Sequence, residues 1–78
     1  MSDVEYRHLL GKARDAKRGG REAWAVQSTG EKLAVALALN RADWIASLGY
    51  TLGEAIARVG AEWLVLIPRV ERTLSDEE

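Results

Sequence analysis

STGEKLAVALAL, residues 28–39, is the stretch that decides the fold. Ser28, Thr29, Gly30 and Glu31 supply the chemistry that opens a helix, since short polar side chains satisfy amides that have no partner in the first turn. Every residue in 33–39 is apolar. A helix of that composition has no solvent face, so it is expected to lie at the centre of the domain with other helices around it.

Reading outward toward the C-terminus, Asn40 and Asp43 stand at capping-box spacing, with Asp in place of the usual Glu. They are expected to open a short helix that carries Trp44, Ile45 and Leu48 and closes at Gly49 as the C′ residue. Thr51 and Glu54 form a further box, with Tyr50 placed for a hydrophobic staple. From there Leu52, Ile56, Val59, Trp63, Leu66, Val70 and Leu74 follow steps of three and four, an apolar seam expected to point inward along its length. Gly60 and Pro68 interrupt it, and the helix kinks or restarts there because proline removes an amide and clashes one turn back.

Toward the N-terminus, Ser2 and Glu5 also stand at capping-box spacing. The helix they open places Val4, Leu9, Ala13 and Ala16 near one face, and Gly19-Gly20 is expected to end it. Trp24 and Val26 alternate with smaller residues, so residues 22–27 read either as a short extended segment or as a helical turn. The expected architecture is all-α, an orthogonal bundle of four to five short helices. Residues 1–74 form a single domain and 75–78 an acidic tail.

At 78 residues the chain forms one domain. Folding at that size buries only ~60–65% of the surface the open chain exposes. There is no cysteine and His8 is the only histidine, so disulfides are excluded and a zinc site lacks ligands. Support from a partner or a second copy is therefore expected. The 47% apolar and 29% charged content is that of an ordered globular domain. No apolar run reaches the length of a membrane span, and the acidic start lacks the features of a secretory signal, so the expected location is the cytoplasm, away from membranes.

The net charge of −1 is unevenly spread. Residues 7–21 hold six basic residues against the single acid Asp15. Within them Lys12, Arg14, Lys17, Arg18 and Arg21 form the candidate interaction patch. Trp24, Trp44 and Trp63 each stand beside apolar residues and read by default as core, with Trp24 the candidate aromatic anchor should one be exposed. Such a basic run is also what a solvated helix C-terminus carries to complement its dipole. His8 is expected at an exposed or boundary position, and Asp43 and Glu54 are accounted for as caps, which leaves no catalytic constellation. Ser28–Lys32 is not a phosphate loop: Glu31 precedes the lysine and Leu33 stands where a hydroxyl is needed.

The chain is accordingly expected to be a non-enzymatic protein-interaction module without cofactor, metal or small-molecule substrate. Its partner is another protein or a second copy of itself. The alternative is a small helix-turn-helix-like nucleic-acid-binding protein or regulator, laid on residues 41–60 with Trp44, Leu48, Tyr50 and Ala55 as packing positions. Against it, the polar positions of the would-be recognition helix include Glu54 and Glu62, which repel phosphates. Residues 27–69 resemble small uncharacterised proteins carried by proteobacterial phages and mobile islands. The resemblance implies an accessory role such as an anti-CRISPR inhibitor of host defence, and it carries over no functional residue.

Overall fold

In the computed structural model, which describes residues 3–77, helix α1 (Asp3–Ala25) carries Leu9, Leu10, Ala13, Ala16 and Trp24 into the core. The Ser2–Glu5 box falls partly on Ser2, outside the described residues. At Gly20 (φ 70°, ψ −157°) the helix breaks and restarts, so the expected end is a kink. That conformation is open essentially to glycine alone. The final turn is helical through Ala25 and no strand forms among the described residues, which removes the extended reading of residues 22–27. A lone strand has no neighbour for its amides and carbonyls, whereas a helical turn satisfies them locally.

Helix α2 (Thr29–Ala38) is the central helix, packed against α1 and three later helices. Its N-terminus is a complete capping box: the Glu31 amide donates to Ser28 Oγ at 3.3 Å and the Ser28 amide to Glu31 Oε1 at 3.0 Å. Leu33, Ala34, Val35, Ala36 and Ala38 are buried, while Leu37 and Leu39 are half-buried.

Asn40 does not open the next helix; it ends α2. It adopts a left-handed conformation (φ 58°), its amide bonds to Leu37 O at 3.2 Å, and the Arg41 amide bonds to Ala36 O at 2.8 Å. These two bonds make a Schellman motif, and asparagine tolerates that backbone better than most residues. Helix α3 (Ala42–Ser47) then starts without a side-chain cap, and Asp43 pairs with Arg41 instead. The expected end at Gly49 is found: the Gly49 amide bonds to Ala46 O and the Tyr50 amide to Ile45 O, at 2.9 and 3.3 Å.

Helix α4 (Leu52–Val59) opens on the expected Thr51–Glu54 box, with bonds of 2.9 and 3.1 Å. Gly60 (φ 87°, ψ 159°) ends it and the single turn α5 (Ala61–Leu64) follows. Helix α6 (Ile67–Asp76) restarts with Pro68 in its first turn, where the missing amide costs nothing. Among the described residues the bundle thus has five helices of six or more residues and one single turn.

The seam of residues 52–74 is not inward throughout: Leu66, Val70 and Leu74 are buried, but Leu52 and Ile56 are 52% and 45% exposed. Ala55 takes the core-facing position of α4, because its small side chain lets α4 lie close to α2. The described part of the acidic tail, residues 75–77, is continuous with α6. Helix α6 runs through Ser75 and Asp76, and Glu77 is held by Arg14; Glu78 lies outside the described residues.

Candidate functional site

Helix rotation divides the candidate cations. Lys12 and Arg14 are two residues apart, about 200° around the helix. Lys12 is half-buried and its charge acts on Glu31 at the start of α2. Arg14, Lys17 and Arg18 face α6 and line a groove with Leu74 and Glu77. Arg21, beyond the kink, lies with its guanidinium 6.0 Å from the centroid of Trp24. Of the five cations expected in one patch, three share a groove.

Trp24 is not an exposed anchor. It is 2% exposed, stacks on Trp44 with centroids 4.7 Å apart, and donates from Nε1 to Lys32 O at 2.8 Å. The kink at Gly20 is what turns it inward. A tryptophan beside other apolar residues, with its N–H matched to a carbonyl, is a core element.

Glu77 defines the chemistry of the groove. Arg14 Nε donates to both of its carboxylate oxygens at 3.2 and 3.0 Å, and Arg14 Nη2 donates to Oε2 as well. The Arg14 hydrogen bonds hold the Glu77 carboxyl below its ordinary pKa against a smaller opposing effect of desolvation, and the charges of Arg14, Arg18 and Lys17 add to them. Lys17 Nζ donates to Leu74 O at 3.3 Å, a cation on a carbonyl near the end of α6.

The groove adjoins a cleft of about 320 Å³ that shares Lys17 and Leu74 with it. Ala16, Ala38, Leu39, Trp44 and Leu74 give the cleft its apolar walls, and Asn40, Arg41 and Glu71 its polar ones. Asn40 Nδ2 donates to Glu71 Oε2 at 2.8 Å, which ties the α2 end to α6. Arg41 is fixed by two bonds to Asp43, at 3.0 and 2.9 Å, and by the Trp44 ring 4.4 Å from its Cζ. On the other side of Asn40 and Arg41 a second depression of about 220 Å³ is lined by Leu37, Ile45 and Leu52. The surface therefore runs from a basic end at Arg14 and Arg18, past the Asn40 turn, to an apolar end at Leu37 and Leu52. Ile56, one turn along α4 from Leu52, extends the apolar end.

His8 lies away from this surface. Its side chain is 46% exposed, as expected, with Nε2 2.6 Å from Glu31 Oε2. Burial is the largest single influence on Glu31 and raises its pKa. The Ser28 amide, His8, the Ser28 hydroxyl and Lys12 together outweigh it and hold the carboxyl below its ordinary value. Among the described residues no group of three or more His, Asp or Glu is placed to hold a metal ion, and no helix is long and apolar enough to cross a membrane.

The sequence pointed to Arg14, Lys17 and Arg18 but missed Leu52, Ile56, Asn40 and Glu77. No sequence signal separated the first two from the rest of the seam, since Leu52 and Ile56 keep the same three-and-four spacing as the residues that turn inward. No protein-family model, curated protein or solved structure matches the chain.

Proposed function

We propose that this protein is a non-enzymatic protein-interaction module that receives another protein on the surface between the α4 apolar end and the α1–α6 groove. The observation that carries the reading is the outward placement of Leu52 and Ile56, beside the depression lined by Leu37 and Ile45. Clustered apolar side chains in water are unfavourable for a free monomer and favour association with an apolar counterpart.

The same feature weighs against the nucleic-acid alternative. Helices α3 and α4 are joined by a short turn through Gly49, as a helix-turn-helix would be, but the exposed residues of α4 are Leu52, Gly53, Glu54, Ile56, Ala57 and Arg58. That face carries one cation and one carboxylate, and it offers little to a phosphate backbone. The resemblance of residues 27–69 to small proteins of proteobacterial phages and mobile islands supports a narrower form of the proposal: a cytoplasmic accessory protein that inhibits a host-defence protein, as anti-CRISPR proteins do.

The test is quantitative affinity capture from an extract of the native host, comparing wild type with Leu52→Asp/Ile56→Asp. A stoichiometric protein held by wild type and lost by the double variant, with the variant's melting temperature preserved, is the expected result. Sedimentation of wild type alone reports whether the counterpart is a second copy. Capture of nucleic acid, or of a protein indifferent to both substitutions, overturns the reading.

A further inference from the structure

We infer that the α1–α6 groove takes a carboxylate-bearing segment of the partner protein in the place that Glu77 now holds. This rests on the interaction-module reading and specifies the chemistry of its partner.

Glu77 itself shows what the groove accepts. A carboxylate sits against Arg14 in a forked arrangement, with Lys17 and Arg18 close enough to act on its charge. The carboxylate comes from the residue that caps the C-terminal end of α6, where helices fray most easily. Both members of the pair are more than a third exposed. Exposed ion pairs add little to stability, so exchanging Glu77 for a carboxylate from a partner costs the fold little.

The neighbouring cleft specifies the occupant further. It shares Lys17 and Leu74 with the groove and offers apolar walls of Ala38, Leu39 and Leu74 about 320 Å³ in extent. The cations Arg14, Lys17 and Arg18 stand at one end of the combined surface, whereas Arg41 at the other end is already paired with Asp43. A peptide with an acidic residue beside an apolar one matches that sequence of charge and apolar surface. A nucleic acid matches it poorly, because a phosphodiester backbone has no apolar group to set against the walls of Ala38, Leu39 and Leu74.

Competition gives the idea its test. A fluorescein-labelled peptide of alternating Glu and Leu is titrated by anisotropy with wild type, Glu77→Gln and Arg14→Glu/Arg18→Glu, each checked for an unchanged melting temperature. A Lys-for-Glu peptide and a duplex DNA serve as the comparison probes. Removing the internal competitor with Glu77→Gln is expected to tighten the acidic peptide by roughly threefold, the scale of an exposed ion pair. Reversing Arg14 and Arg18 is expected to weaken it by roughly tenfold or more, most strongly at low salt. Unchanged or weaker binding by Glu77→Gln overturns the inference, as does DNA or the Lys peptide binding as tightly as the acidic one. If Arg14→Glu/Arg18→Glu captures the native partner as well as wild type does, while Leu52→Asp/Ile56→Asp loses it, the inference falls and the interaction-module reading stands. If wild type captures no protein, that reading falls instead.

Discussion

Three glycines in α1 receive the same substitution and should give three different results. Gly11 is in the helix interior with ordinary helical geometry, and a Cβ there meets nothing within 4 Å. Gly11→Ala therefore gains helix propensity without a clash and should stabilise the protein by about 0.5–1 kcal/mol. Gly19 is also helical, but a Cβ there comes to 2.6 Å from the Cβ of Ala23. The turn that carries Trp24 folds back so closely at the kink that no side chain fits, and a backbone shift must accompany Gly19→Ala. Gly20 differs again: a Cβ has open space, yet φ is +70° with ψ at −157°. Gly20→Ala should cost about 1–3 kcal/mol from backbone strain alone.

For a domain of this size 1 kcal/mol corresponds to a shift of about 4–8 °C in melting temperature, so thermal denaturation followed by circular dichroism resolves all three. The expected order is Gly11→Ala above wild type, with Gly19→Ala and Gly20→Ala below it. Gly20→Ala melting at or above wild type would mean that the helix runs straight through residue 20. Trp24 would then lose its route into the core, and the separation of Arg21 from the groove cations would have no structural basis.

Three further outcomes follow from burial, charge and capping. Leu33→Ala, at a fully buried position of α2, should cost about 2–5 kcal/mol in urea denaturation, whereas Leu52→Ala should stay within about 0.5 kcal/mol of wild type because Leu52 is half exposed. Glu31, with its folded-state pKa below the ordinary 4.5, contributes stability that is present above that value and is lost as pH falls through the lower folded-state value. The urea midpoint of wild type should accordingly drop on acidification through this range, and Glu31→Gln should show a smaller drop. Thr51→Ala removes the acceptor for the Glu54 amide and should cost about 0.5–2 kcal/mol, measured by the same denaturation.

The legible parts of the fold were those with local causes. Capping boxes act within four residues, so Thr51–Glu54 and the helix start at Ser28 could be read directly. The all-apolar run of residues 33–39 has no solvent-facing solution, and α2 is central as a result. Asn40 was ambiguous because asparagine serves both as an N-cap and as a left-handed C′ residue. The choice was made by the carbonyls of Ala36 and Leu37, which needed donors at the end of α2. Glu77 was illegible for a different reason: its partner lies on α1, and pairing of charges distant in sequence leaves no local pattern.

The misassigned part of the seam is also the part on which the proposed function rests. Periodicity identifies apolar stripes but does not say whether a stripe faces its own core or another molecule. For residues 66, 70 and 74 the core was the answer. For Leu52 and Ile56 it was not, because Ala55 and the half-buried Val59 already fill the contact of α4 with the rest of the bundle. Polar residues at 52 and 56 would leave that contact intact and make the monomer more soluble. Folding therefore does not require apolar side chains there, whereas an apolar counterpart would. The basic groove stands in the same relation to the fold, since exposed Arg14 and Arg18 add little to stability whether or not Glu77 pairs with them. Under the proposed function, both ends of the surface carry side chains whose types suit an apolar and acidic partner.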